Sequence, residues 1–397
     1  MEVREEKVFE KAASKKALNS SKFRRFEILQ KTFGSRFFPI WPAPMVGLTH
    51  FAFRSAVRRY LPAGARLPWP TEMLNSRKLP HEKLGSNSET LFLESDSDLF
   101  PQLLANEEEP IRLSVKKLED WGVCGIDINM GCPVNKALRH NYGVALMGDP
   151  DYAKQVVDFV RNSTKLPVSV KLRAGSDDIQ ESRVDYLVKF IQSLVDAGAD
   201  WIVLHPRLSH QMRRGVADWK LVGEVAKNLS VPVIGNGDLQ NLSQINEIDQ
   251  MDLPIAGVMI GRALTARPWL LGQWARHYNW SHAKETRLVT NEDLEGVSDI
   301  SIEKRNAITP PFTAEEEAQE ALRFWAHIID ELEGHLDFSV GGRKFRFLIR
   351  YGASWLDYGH TLMKWVNGAK SYCECKEVLA RFSQTSPRML GHTRNIS

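Results

Sequence analysis

The sequence predicts an α/β fold: a (β/α)8 TIM barrel followed by a C-terminal all-α helical domain. Three observations predict it. Between residues 37 and 270 short apolar runs alternate with amphipathic stretches, which implies right-handed βαβ units and a parallel sheet. Eight such runs fit into this segment, whose length is close to the usual barrel size of about 250 residues. From residue 271 onward strand signals stop, and Trp, Leu and Arg recur at helical spacing. A doubly wound open sheet is the alternative architecture.

In chain order, residues 1–36 form a basic N-terminal extension with ten Lys/Arg, five Asp/Glu and few large apolar side chains. Strands are expected over 38–45, 67–73, 99–104, 125–130, 167–172, 201–205, 231–234 and 257–260. The clearest helix covers 185–197, where Leu187, Phe190, Ile191, Leu194 and Val195 share one face, and Gly198 is a natural stop. Another opens at Asp149-Pro150, an N-cap followed by proline in the first turn. The barrel, 37–270, is expected to carry the chemistry. Within 271–397, a polar linker over 280–311 precedes helices at 314–332 and 344–365.

Composition limits the class of protein. At 43% hydrophobic and 25% charged residues the 397-residue chain has a globular composition. It contains no run of about 18 apolar residues, so no membrane span is expected. The N-terminus alternates charges and lacks an apolar signal segment. Four cysteines, Cys124, Cys132, Cys373 and Cys375, are too scattered for a disulfide framework. A cytoplasmic protein with reduced thiols, and a monomer, is expected. No Cys/His cluster has metal-ligand spacing, and the formal net charge of +3 by itself predicts no nucleic-acid partner.

Barrel active sites form at the C-terminal ends of the strands, and here those ends carry polar residues and glycines. They are Pro42-Ala43-Pro44-Met45-Val46-Gly47, Gln102, Asp127 to Pro133, Lys171-Leu172-Arg173, His205-Pro206-Arg207, Gly235-Asn236-Gly237-Asp238 and Gly261-Arg262. Taken singly, Cys132 reads as a small buried hydrophobe, Lys171 as a snorkelling surface lysine, His205 as a satisfied core histidine and Asn236-Gly237-Asp238 as a turn. Together they point to a phosphorylated cofactor, because barrels commonly bind phosphate on the loops after strands seven and eight, through backbone N–H groups and an arginine. Lys171 then lies beside the cofactor ring, with Cys132 on the substrate side.

The whole set resembles the tRNA-dihydrouridine synthase family of flavin-dependent barrels. The matching pieces occur in the family's order across 38–270: Pro42 to Met45, Thr71-Glu72-Met73, Gln102, Ile126 to Pro133 with Lys136, Gly143 to Met147, Val170 to Arg173, His205-x-Arg207 with Gln211, Asn236-Gly237-Asp238, and Met259 to Arg262. The resemblance implies FMN, NADPH as electron source, and reduction of the C5–C6 double bond of a uridine in tRNA. It implies that Pro44, Met45 and Val46 line the flavin, and that Gln102 and Lys171 hydrogen-bond its ring. His205, Asn236, Gly237, Asp238, Gly261 and Arg262 hold its ribityl-phosphate. Asn129, Lys136, Arg173 and Arg207 contact the substrate, and Cys132 is the general acid. Hydride arriving at C6 leaves enolate-like charge that a proton at C5 must quench; a thiol, mostly protonated at neutral pH, can supply it. The base must leave its stack to reach such a site.

The sequence departs from the family in places. Met212-Arg213 follows Gln211, where the resemblance implies a glycine-aromatic pair; the loop over 75–98 is long; and residues 1–36 have no counterpart. The C-terminal part resembles the helical domain of bacterial members that act at D-loop position 16. Charge distribution fits an RNA partner: residues 1–36 sum to +5 and 339–397 to +7, leaving 37–338 at −9. A basic helical module on an acidic core suits an electrostatic RNA clamp, and the first 36 residues read as a flexible basic arm or an RNA-contacting helix. The aromatic residues among those cations, at helical spacing, read mostly as core. Two other classes compete: a flavin barrel reducing a small enoate or dihydropyrimidine, and a tRNA-folding chaperone that has lost catalysis.

Overall fold

In the computed structural model, residues 26–34, 36–62, 64–94, 96, 98–134, 138–175, 181–277 and 313–391 are described. Eight strands make one parallel sheet: β1 (Ile40–Pro42), β2 (Met73–Asn75), β3 (Gln102–Leu104), β4 (Ile126–Met130), β5 (Val168–Arg173), β6 (Trp201–His205), β7 (Val233–Asn236) and β8 (Gly257–Ile260). Their order is β1-β8-β7-β6-β5-β4-β3-β2. The ring closes below β1 and β2, where Phe37 bridges Arg66 in parallel. There Phe38 N–H donates to Arg66 O at 2.7 Å and Arg66 N–H to Arg36 O at 2.9 Å. The barrel reading therefore holds, and the open sheet does not.

The first two strands are shorter than the apolar runs suggest. Over 66–75, pairing reduces to isolated bridges at Arg66 and Trp69 before the regular ladder at β2. Pro68 and Pro70 have no N–H to donate, so the ladder is interrupted where they stand. Among the described residues no α-helix lies between β2 and β3; a 3-10 turn at Leu79–His81 and a long loop take its place. Buried Arg54 straps that loop down through Asp96, at 2.7 Å, and Leu91 O, at 3.1 Å.

Helices α1 (Phe26–Phe33), α2 (Phe51–Arg58), α3 (Glu108–Asp120), α4 (Pro150–Ser163), α5 (Arg183–Asp196), α6 (Trp219–Lys227), α7 (Leu242–Gln250) and α8 (Leu270–His277) belong to the barrel region. As the sequence suggested, Asp149 caps α4 by accepting from Tyr152 N–H, and Gly198, at φ +105°, stands just beyond α5. α1 corrects the reading of residues 1–36. Its Leu29 and Phe33 are buried, and Phe33 packs against Phe37, Phe100 and Trp201, with ring centroids 5.6–6.4 Å apart. The end of the extension is thus part of an aromatic plug at the barrel's N-terminal end. The chain before it lies outside the described residues, as does the linker over 280–311.

Among the described residues four helices follow: α9 (Ala314–His335), α10 (Phe338–Gly352), α11 (Gly359–Gly368) and α12 (Tyr372–Ser383). A capping box opens α9, with Thr313 Oγ1 accepting from Glu316 N–H and Glu316 Oε2 from Thr313 N–H. The single helix expected over 344–365 is two helices. A 3-10 turn at Ala353–Trp355 and the left-handed Tyr358 (φ +56°) reverse the chain between them. These helices dock on the barrel through α9. Phe324 packs on Phe53 and Tyr60, Ser55 Oγ donates to Glu331, and Trp325 Nε1–H donates to Thr265 O at 2.7 Å. Among the described residues no helix is long and apolar enough to cross a membrane.

Candidate active site

The C-terminal ends of the strands open into a cavity of about 860 Å3. Pro44, Met45, Val46, Gln102, Asn129, Cys132, Lys171, Arg173, His205, Arg207, Asn236, Gly237, Asp238, Gly261 and Arg262 all line it, so the structure brings fifteen of the sixteen expected site residues together. Lys136 lies outside the described residues.

The floor is a directional chain of polar groups. Asp127 accepts from Ser169 Oγ at 2.5 Å and from Gln102 Nε2 at 2.6 Å. A carboxylate there fixes the Gln102 amide, whose Oε1 accepts from Asn129 Nδ2 at 2.7 Å. Asn129 Oδ1 in turn accepts from Gly131 N–H at 3.1 Å and Cys132 N–H at 2.9 Å. Buried amides are thereby satisfied and the cysteine loop is held to β4. Burial raises Asp127 to about 6, against the hydrogen bonds of Ser169 and Gln102 and the charge of Lys171. Gly143, at φ +63°, packs on the other side of that loop; a Cβ there would lie 2.6 Å from Cys132 O. Only glycine permits this approach.

Lys171 stands on β5 between this network and the cavity. It has no hydrogen-bond or ion-pair partner among the described residues. Burial lowers its ammonium to about 8, helped by Arg173 and opposed by Asp127 and Cys132; at neutral pH it remains mostly charged. Arg173 and Arg207 line the cavity and also brace its rim. Arg173 donates to Gly131 O, Leu208 O and Met212 O, tying the cysteine loop to the loop after β6. Arg207 donates to Arg214 O and Gly215 O and pairs with Asp238 at 2.6 Å. Both organise the rim.

His205 Nε2 lies 3.2 Å from Arg207 Nη1. Arginine only donates, so Nε2 is the acceptor and the proton sits on Nδ1. Burial, then the charges of Lys171, Arg173, Arg207 and Arg262, lowers this histidine to about 2. His50, fully buried with neither ring nitrogen hydrogen-bonded, is likewise held well below 6.5 by burial and then by Lys344 and Arg54. The unfolded chain therefore binds protons below pH 6.5 that the native state refuses. These histidines leave stability intact above 6.5 and erode it as pH falls toward their native values, by up to about 1.4 kcal/mol per pH unit per group. His50→Leu is expected to flatten the pH dependence between 6.5 and 5 by one proton, read from urea unfolding; an unchanged slope overturns the assignment.

Six cations (Lys171, Arg173, Arg207, Arg213, Arg214 and Arg262) line the cavity against one carboxylate, Asp238. Sequence reasoning missed its roof. Phe347 and Tyr351 on α10 and Trp355 beyond it line the same cavity, although their helical spacing reads as core. Arg213 reaches across to Tyr351, with its guanidinium carbon 5.6 Å from the ring centre. Met212, beside it, takes φ +51°, the left-handed conformation that favours the glycine implied there by the resemblance. Nor does the sequence signal that Glu72 ties the turn after β1 to α10. Its Oε2 accepts from Gly47 N–H and its Oε1 from Lys344 Nζ at 2.6 Å.

With this geometry in place, the chain compares as follows with known proteins. The family model described as dihydrouridine synthase (Dus) matches residues 42–336. A probable tRNA-dihydrouridine synthase of Rhodobacter capsulatus is 34% identical over 242 residues, covering 60% of this chain and 71% of that protein. One of Rickettsia bellii is 32% identical, covering 67% and 78%. The tRNA-dihydrouridine synthase B of Shewanella oneidensis is 29% identical, covering 59% and 70%.

Proposed function

The chain belongs to the dihydrouridine synthase family, and from that membership we propose that it is an oxidoreductase that reduces the C5–C6 double bond of a uridine in tRNA, using FMN and NADPH. The observation that carries this reading is the cavity's excess of positive charge beside an unpartnered buried ammonium and a thiol.

The residues present fit FMN. Gly237 (φ +130°) has no room for a side chain, since a Cβ would lie 2.8 Å from Ala217 Cβ and 3.1 Å from His205. The bare backbone there, the Nδ1–H of neutral His205 and the Arg262 guanidinium form a donor set suited to a phosphate. Pro44, Met45 and Val46 offer a wall for a flat ring, with Gln102 and Lys171 as polar contacts on the floor. When bound and reduced, FMN supplies a hydride to C6 of the uracil ring.

The chain's own residues do the rest. Cys132 Sγ–H donates a proton to C5. Lys171, cationic and withdrawn from water, offsets negative charge in the cavity, where low dielectric strengthens its field. The Asn129 side chain keeps the thiol's loop in place. Phe347 and Tyr351 offer ring surfaces to a base that has left its stack.

The RNA clamp becomes sharper at residue level. Lys344, Lys376 and Arg388 are paired with carboxylates, whereas Arg343, Arg350, Lys364 and Lys370 have no ion pair among the described residues. Arg381 on α12, over the Trp365 ring, has no ion pair among the described residues either, so the unpaired charge is spread over α10, α11, α12 and the residues between them. Arg394 lies outside the described residues. Because α10 and α12 both pack on α9, substitution, not removal of 339–397, is the appropriate test of the clamp.

Purified protein loaded with FMN is expected to be yellow and, with NADPH, to convert uridine to dihydrouridine in unmodified tRNA, scored by mass spectrometry of RNA digests. Position 16 of the D-loop is the expected site. Protein that cannot be loaded with FMN and leaves tRNA unchanged overturns the reading.

A further inference from the structure

A second cavity of about 340 Å3 lies between α10 and α11. Arg343, Arg346, Phe347, Ile349 and Arg350 line it from α10, and Met363 and Asn367 from α11. Of these five α10 residues, Arg343, Arg346, Phe347 and Arg350 fall at i, i+3, i+4 and i+7 and form one helical stripe. Their neighbour Lys344 is committed to Glu72, at 2.6 Å.

The three arginines are not equivalent. Arg346 is anchored: its Nη2 donates to Ala369 O at 2.6 Å and its guanidinium lies 5.2 Å from the Phe338 ring centre. Its Nε is buried without a hydrogen-bond partner. Arg343 and Arg350 are exposed and have no ion pair among the described residues. A small apolar floor under an arginine rim suits a flat ring attached to an anion. Phe347 lines both this cavity and the main one, so the two adjoin across a single ring.

We propose that this second cavity receives the nucleotide that flanks the target uridine in the RNA. Its base lies against Phe347 and Met363, its phosphate faces Arg343 and Arg350, and the Asn367 amide meets the base edge. The inference rests on the reading of the protein as acting on tRNA and goes beyond it, because it gives the substrate a second point of capture one nucleotide away. Two adjoining pockets hold consecutive units of one strand, which disfavours re-entry of the flipped base into its stack.

Two variants test it, with tRNA binding measured by fluorescence anisotropy across a salt series and turnover measured separately. Arg343→Gln with Arg350→Gln changes only exposed side chains. It is expected to raise Kd and KM for tRNA about tenfold, leave kcat at saturating tRNA within about twofold, and reduce the salt slope by about one to two. Met363→Trp fills the cavity and is expected to weaken tRNA binding with the salt slope unchanged, since no charge is removed. An unaltered Kd and salt slope in the double variant overturns the proposal. Full affinity in a folded Met363→Trp protein overturns the cavity as the binding element and leaves only a diffuse charged surface. If the unsubstituted, FMN-loaded protein makes no dihydrouridine, the activity reading fails by itself, whereas the binding measurements still decide this proposal.

Discussion

Replacing Cys132 by Ala is expected to leave FMN binding unchanged and slow dihydrouridine formation by about 10²- to 10⁴-fold, the usual contribution of a positioned general acid. The two halves of that expectation have separate structural causes. The loop is positioned by backbone groups, Cys132 N–H on Asn129 Oδ1 at 2.9 Å and Val144 N–H on Cys132 O at 3.1 Å. Alanine keeps both, and keeps the Cβ against which Gly143 packs. Only the sulfur and its proton are lost. Single-turnover assays on flavin-reduced enzyme read the chemistry, and the flavin content of the purified variant reads the binding. A variant as fast as the parent eliminates Cys132 as the proton donor.

Lys344→Met is expected to give the largest loss of stability, about 3 kcal/mol or more, because it leaves the buried Glu72 carboxylate without its cation. Glu72 is 2% exposed and receives Gly47 N–H and Lys344 Nζ on its two oxygens. One side chain thus joins the turn after β1 to α10. Adding Glu72→Gln is expected to restore much of the loss, because a neutral amide costs far less to bury unpaired than a charge does. Urea unfolding of the FMN-free single and double variants measures both. A loss below about 1 kcal/mol in Lys344→Met indicates that water screens the pair.

Strands whose short apolar runs hold no proline were legible: β6 and β8 begin and end where their apolar runs do. Where proline removed donors, at Pro68 and Pro70, hydrophobicity alone overstated the strand. The site residues were legible because barrel topology sends every strand end to one mouth, so local motifs assemble without knowledge of long-range packing. The roof was not, because Phe347 and Tyr351 obey the same helical periodicity whether they face a core or a cavity. Nor does sequence reveal that Arg173 and Arg207 use their N–H groups on carbonyls and Asp238. An arginine at a strand end has the same spacing whether it binds a ligand or braces a loop.

The roof and floor of the cavity come from parts of the chain more than a hundred residues apart, Lys171 on β5 and Phe347 on α10. A ligand that touches both recognises only the docked arrangement, so its binding free energy is added to the union of barrel and helices. At a hundred times its dissociation constant such a ligand contributes about 2.7 kcal/mol, comparable to what the Glu72–Lys344 pair is expected to hold. Occupancy and assembly are therefore thermodynamically linked for any ligand that spans the two, and whatever loosens the helical part weakens retention of such a ligand by the same free energy.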